Sequence, residues 1–400
     1  MTRSFATAMI DRLCRGGVRL TVRATVLCLA LLTASVSLAA QPRLSLGRPD
    51  ASSGPEFERI VAVRELRDGS VLLVDRGGNA LLHLQTLESA PRRLGRVGSG
   101  PLEYRTAGHL WALGGDSSLF IDEYTGRWLV LRASTLVGQF SESRAANLLV
   151  RSTSDGASAF GDVVTVRPTK FRNGVPRTEN TADSLAVIRV GIANGRVDTL
   201  TVIAGFGGSG VTRIPARGER PEFLLDFNPL AASEQVLLHQ DGWLSVVRLM
   251  PYRVEWRRPD GAWIRGVPLA EAGRPVTRAE QCEAIARIFP ADFLGCDPAV
   301  FAGWPRSVPP VRWRVRTAEP TLHALPQGVL AVARTPALGD PRRPYDLIDR
   351  RGLRIGTLLL AEGEVLVGSS ARYAYVTHTD EDGLQRLRRY EWPAAVRGAR

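Results

Sequence analysis

An all-β fold is predicted by three features of the sequence: short apolar runs, turns carrying Gly, Asn or Asp between them, and recurrence of the same run–turn–run pattern. The first runs are Ile60-Val61-Ala62-Val63, Val71-Leu72-Leu73-Val74 and Leu81-Leu82-His83-Leu84, separated by Asp68-Gly69 and Gly77-Gly78-Asn79. Such runs have the length of strands, are too short for helices, and end in residues that favour hairpin turns. The pattern then repeats: "DGSVLLVDRGGNALLHL" (68–84) is followed by "GDSSLFIDEYTGRWLVL" (115–131), with Asp75 and Asp122 in corresponding places. A recurrence of about fifty residues with several strands per unit is the signature of a β-propeller.

The first forty residues stand apart. Arg3, Arg12, Arg15, Arg19 and Arg23 precede an apolar run from Val26 to Leu32 and a small-residue stretch ending Ser37-Leu38-Ala39-Ala40. That order predicts a secretory signal peptide over 1–40, cleaved after Ala39 or Ala40, with a retained amphipathic anchor as the alternative. The run is too short for a membrane span, and no later stretch approaches spanning length. The mature chain, 41–400, is expected to be periplasmic or secreted. The formal charge is +12, of which the signal segment carries a net four, and Lys170 is the one lysine among 52 basic residues. Because the arginines are spread along the chain, they predict a generally basic surface and no nucleic-acid partner.

Beyond the first two units the copies loosen. "GDVVTVRP" and "DSLAVIRVGIANGRVDTLTVI", within 161–203, supply the next. "SEQVLLHQDGWLSVVRL" (233–249) and "LPQGVLAVARTP" (325–336) repeat the strand after its turn. "YRVEWRRPDGAWIRGVPL" (252–269), "YDLIDRRGLRIGTLLL" (345–360) and "YAYVTHTDEDGLQRLRRYEW" (373–392) read as hairpins. Setting aside polar insertions near 170–184 and 270–312 leaves about 300 residues, enough for six blades of roughly fifty.

The stretch "GRVGSGPLEY" (95–104) packs three glycines and a proline between two units, and Gly98-Ser99-Gly100 recurs as Gly208-Ser209-Gly210. It is not a phosphate loop, since no Lys-Ser/Thr follows and no helix pattern succeeds it. A dinucleotide site needs a strand–turn–helix unit, whereas strands lie on both sides here. The glycines are expected at positive φ, where the chain crosses from the outer edge of one blade to the inner strand of the next.

The same stretch resembles the inter-blade segment of NHL-type six-bladed propellers, in which Gly-x-Gly-Pro-Gly-Glu-Phe precedes the innermost strand. Gly98, Gly100, Pro101, Glu103 and Tyr104 match, and Leu102 stands where the family has glycine. The resemblance covers residues 55–140 and is diffuse beyond them. It implies a secreted bacterial propeller, in a group whose members bind proteins or carbohydrates and whose relatives include metal-dependent hydrolases and lyases.

One segment breaks the β-pattern. "PVTRAEQCEAIARIFP" (275–290) pairs Thr277 with Glu280 as a capping box and predicts a short helix ending at Pro290. Cys282 and Cys296 are the two cysteines of the mature chain. In an oxidising compartment they are expected to form a disulfide that staples this insertion, worth roughly 3 kcal/mol. Zinc needs four ligands, and no histidine lies near either cysteine.

Candidate chemistry is sparse. His109 and His323 fall on expected innermost strands of opposite units, where side chains face the central channel, and Trp111 shares the His109 strand. Those histidines serve either a metal site or a hydrated channel wall. "THTDEDGL" (377–384) has His378 and Arg389 where a calcium loop needs acidic ligands, so it is a hairpin turn. No serine sits in Gly-x-Ser-x-Gly. Glu58, Glu103, Asp122 and Glu123 are carboxylates to place in space for glycoside chemistry. "RWRVR" sets Arg312, Arg314 and Arg316 on one strand face, either as a ligand stripe for acidic groups or as an outward edge that resists aggregation. These observations favour a non-catalytic scaffold for a protein, peptide or glycan, without cofactor. The alternative is a calcium- or zinc-dependent hydrolase or lyase at the channel.

Overall fold

The run Val71-Leu72-Leu73-Val74 lies in a strand, Val71–Asp75, that is buried at every residue. Successive side chains of a strand point to opposite faces, so a strand buried throughout must be covered on both. Val71 and Leu73 enter a core with Val365, Val367 and Tyr375, while Leu72 and Val74 enter another with Ala107, Phe120 and Leu129. The sheet that contains this strand therefore sits between two others.

That arrangement extends around a ring. The computed structural model describes residues 42–122, 124–140, 157–168, 171–172, 175–176, 184–205, 212–214, 223–225, 234–270, 273–286, 307–308, 321–336 and 340–398. Within the compact unit Arg43–Arg400 the strands form a six-bladed propeller. Blade I comprises Ile60–Glu65, Val71–Asp75, Ala80–Leu84 and Arg92–Arg93, from the channel outward. Blade II follows with Ala107–Ala112, Ser117–Asp122, Trp128–Arg132 and Thr135–Phe140. In blade III, Ala157 bridges Val163 at the inner edge of Asp162–Pro168, Ser184–Gly191 and Val197–Ala204; the rest of its innermost strand lies outside the described residues. Blade IV is Gln235–Leu238, Leu244–Leu249, Tyr252–Arg257 and Trp263–Arg265.

The last two blades borrow from the start of the chain. Blade V runs Leu322–Ala324, Leu330–Ala333, Arg343–Ile348 and Arg354–Leu360, and gains Arg43–Ser45 as a parallel fifth strand. Blade VI is Glu364–Ser369, Tyr373–Thr379 and Gln385–Glu391, completed by Ala51–Ser52. This latch continues inward. Asp50 and Ser53 donate backbone hydrogen bonds to Arg389 and Leu387 at 2.7 Å each, and Ile60 N donates to the Gln385 side chain at 2.7 Å.

Cores between neighbouring blades complete the ring, joining VI to I, I to II, II to III, III to IV, IV to V and V to VI. The helix Arg278–Ala286 has the expected capping box: Glu280 N donates to the Thr277 hydroxyl at 3.3 Å, and Thr277 N to the Glu280 carboxylate at 3.0 Å. Cys282 is disulfide-bonded, but Cys296 lies outside the described residues, as do most of the insertion and the 1–40 segment. Among the described residues no helix is long and apolar enough to cross a membrane.

The glycine-rich crossing corrects one expectation. Gly95 has φ 67, but Gly98 and Gly100 do not adopt positive φ. Their requirement is space: a Cβ on Gly98 would stand 2.1 Å from the Glu103 carboxylate, which folds back to accept Gly100 N at 2.7 Å and pairs with Arg96. Tyr104 then anchors the crossing, fully buried, edge-on to Phe120 at 5.0 Å and accepting Leu81 N at 3.1 Å. The left-handed residue is Leu102, φ 59.

Two outcomes follow. Starting the chain at Gly54 removes Arg43–Ser45 from blade V and Ala51–Ser52 from blade VI and leaves Gln385–Glu391 an open edge, costing several kcal/mol at roughly 1 kcal/mol per lost hydrogen bond. Thermal melting should fall and size-exclusion should show larger species; an unchanged midpoint would refute the latch. Leu102→Gly should stabilise by about 0.5–1 kcal/mol, because relief of left-handed strain exceeds the entropy of an added glycine. A lower urea midpoint would contradict that account.

Candidate functional site

In five blades, a tight turn joins the innermost strand to the second, closed by the same backbone bond: Leu66 N to Ser70 O, Leu113 to Ser117, Ser158 to Asp162, His239 to Trp243 and Leu325 to Val329, all 2.8 Å. These turns surround the end of the channel and frame a cavity of about 710 Å³. Its wall is made by the C-terminal halves of the innermost strands, which the blade faces hold in place.

Charge in this cavity is unevenly matched. Arg64 is buried, and its terminal nitrogens cross to blade II, where they donate to Ser117 O, Ser118 Oγ, Leu113 O at 3.4 Å and Gly115 O at 2.6 Å. All four acceptors are neutral. Burial pulls its pKa down to about 10, against the pull of Asp116, so the guanidinium stays charged at neutral pH. Arg67 is exposed one turn further along, and Asp116 accepts its backbone N–H at 3.0 Å. Across the mouth, Arg350 pairs with Asp241 and lies 4.3 Å over the Trp243 ring. Glu65 accepts the Tyr375 hydroxyl at 2.9 Å; burial first, and then that carboxylate, raise the tyrosine pKa.

The expected channel residues meet here. His109, Trp111 and His323 all line the cavity, the two histidines on opposite blades, II and V. His109 and Trp111 are partly exposed and stack at 6.1 Å with an interplanar angle of 22°. His323 is buried, edge-on to Tyr345 at 6.0 Å. His239, which sequence reasoning left aside, also lines the cavity; its Nε2 is 3.1 Å from Ser245 Oγ and its ring packs on Trp256 at 5.0 Å. Burial, reinforced by Arg350 and opposed by Asp241, lowers its pKa to about 4, so the ring is neutral. Among the described residues no three His, Cys, Asp or Glu gather as a metal site. Arg312, Arg314 and Arg316 lie outside the described residues.

Two of the candidate carboxylates, Asp122 and Glu103, accept backbone N–H groups. Asp122 ends the second strand of blade II and accepts Arg105 N at 2.9 Å, Thr106 N at 3.0 Å and Tyr124 N at 3.1 Å, plus the Thr125 hydroxyl. Burial opposes its charge, but the Thr125 hydroxyl and these N–H groups win and hold its pKa below the usual carboxylate range. In blade I, Asp75 accepts the corresponding backbone groups, Arg59 N at 2.9 Å and Gly78 N at 3.2 Å. Glu103 is held within the crossing described above, Glu58 N donates to Asp75 at 3.4 Å, and Glu123 lies outside the described residues. At 377–384, Asp380 Oδ1 accepts Asp382 N at 3.1 Å and Leu384 N at 2.9 Å, which makes the stretch a hairpin turn.

No protein-family model and no curated protein matches this chain. Solved structures do resemble it in fold. A calcium-binding regucalcin from Agrobacterium tumefaciens is 11% identical, covering 87% of this chain and 96% of its own, at a TM-score of 0.43. A DUF4221 member from Bacteroides vulgatus is 6% identical, covering 86% and 97%, at 0.46. A virginiamycin B lyase from Staphylococcus aureus is 8% identical, covering 84% and 81%, at 0.37. Such distant likenesses carry no argument about ligand or activity.

The buried imidazole predicts a pH effect. Between pH 6.5 and about 4 the unfolded chain takes a proton at His239 that the folded chain refuses. Stability should therefore fall as pH drops through that window, by up to about 3 kcal/mol from this group. His239→Gln, which keeps a donor for Ser245, should flatten that part of the urea-midpoint titration; parallel wild-type and variant curves would refute it.

Proposed function

We propose that this chain is an exported, non-catalytic propeller that binds a protein, peptide or glycan in the mouth of its channel. The observation that carries the reading is the cavity of about 710 Å³, within the size range of ligand sites, which opens between turns and is lined by Trp111, Arg67 and Arg350. Of the carboxylates named for glycoside chemistry, Asp122 and Glu103 are engaged with backbone N–H groups. Export rests on the signal-like pattern of residues 1–40, and the NHL-like character on the crossing at 95–104.

The scaffold reading belongs to the rigid frame around the cavity. Blade faces hold the innermost strands, so the turn side chains at the rim are free to differ without loss of the fold. Binding would then need little rearrangement, because the wall is preformed.

A thermal-shift panel of peptides, neutral oligosaccharides and acidic oligosaccharides tests this. Ala371 is exposed at the cavity rim, and Ala371→Trp should narrow the mouth without touching a blade core. Compounds that raise the wild-type melting temperature should lose most of that effect in the variant. Equal shifts in both proteins would place binding elsewhere, and a tightly held stoichiometric divalent ion in the purified protein would overturn the non-catalytic reading.

A further inference from the structure

Two guanidiniums from one strand end converge on one residue of the neighbouring blade. Arg64 donates to Gly115 O at 2.6 Å, and Arg67 Nη2 lies 3.6 Å from the point where a Gly115 Cβ would stand. Gly115 has φ 63, so the turn at 113–117 takes a shape that carries no side chain between the two cations. Like charges brought together repel, and a buried charge is costly unless it is compensated. Asp116 lies beside them and already accepts Arg67 N. The cavity that both arginines line also carries Arg350 and Arg372 against Glu65, Asp116 and Asp241, so among the described residues four cations face three carboxylates.

The same turn follows directly on Trp111. Trp111 and Leu113 pack toward the blade II–III core, whereas Arg64 and Arg67 arrive from blade I. A ligand that uses both features therefore has to cross the end of the blade II strand. The stacked His109 and Trp111 rings offer a flat π surface, whose negative face attracts the polarised C–H bonds of a sugar ring. A linked chain of sugar rings carrying carboxylates meets both requirements, with one ring on Trp111 and a neighbouring carboxylate at Arg67.

We propose that Arg64, Arg67 and Trp111 form a subsite for an acidic oligosaccharide, with Arg67 binding a uronate carboxylate and Arg64 supplying fixed positive charge behind it. This rests on the reading of the cavity as a binding site and adds the ligand class. Arg67 contributes the direct contact because its guanidinium is exposed, whereas both terminal nitrogens of Arg64 are held by blade II. Bidentate guanidinium–carboxylate pairing supplies the specificity.

The test is calorimetric titration of the purified protein with trigalacturonate and with its fully methyl-esterified, neutral form. The acid should bind about ten-fold more tightly than the ester, the equivalent of one charge-assisted hydrogen bond. Arg67→Gln should erase that preference without changing the melting temperature, and raised salt should reduce it. Trp111→Ala should weaken acid and ester alike. Equal binding of the two trisaccharides by the wild type, or a preference that survives Arg67→Gln, overturns the subsite. Triglutamate binding as tightly as trigalacturonate overturns the sugar assignment in favour of an acidic peptide. If neither trisaccharide binds while another ligand is blocked by Ala371→Trp, this subsite fails and the cavity reading stands; ligands indifferent to Ala371→Trp mean that the cavity reading itself has failed.

Discussion

Mutual covering of blade faces is the constraint on which the rest of this molecule depends. A single four-stranded sheet with Val71, Leu72, Leu73 and Val74 in one strand has no polar face to give to water. It becomes stable when a neighbour lies on each side, and that condition, applied to every blade, closes a ring. The channel is what the ring leaves over. Its wall is made of the innermost strands and their turns: residues such as Val61, Leu237 and Val367 belong to the blade cores, while charge and partly exposed aromatic surface collect at the turn end.

Arginine and carboxylate take different parts in this architecture. Asp75 and Asp122 hold corresponding places in the repeat, and each ends a second strand and gathers the backbone N–H groups of the segment entering its own blade. Glu103 does comparable work inside the crossing between blades I and II. Arg64, by contrast, joins blade I to blade II through neutral acceptors, so the contact that welds two blades also brings net positive charge to the cavity. Structure and recognition share one side chain.

The blades were legible in the sequence because burial on both faces writes an uninterrupted apolar run, and Gly-bearing turns mark its ends. The repeat of 68–84 in 115–131 maps onto matching second and third strands of blades I and II. The channel positions of His109, Trp111 and His323 could also be reached, since strand order places them inward. The Arg64–Arg67 convergence could not, because it depends on a turn some fifty residues downstream whose shape local sequence does not declare. His239 was passed over for a similar reason: nothing in its neighbours signals that Trp256 will cover it. At Gly98 and Gly100 the residue type is informative but not through the backbone angle: the Glu103 carboxylate folds back into the space a side chain would take and would have to move to admit one.

The latch has a consequence in time. Ala51–Ser52 is synthesised more than 300 residues before its partner Gln385–Glu391. Until that strand emerges, Ala51–Ser52 has nowhere to dock and the nascent ring gapes. Translation order thus makes synthesis of Gln385–Glu391 the event that licenses closure: a chain cut short before it lacks the very segment with which Ala51–Ser52 pairs.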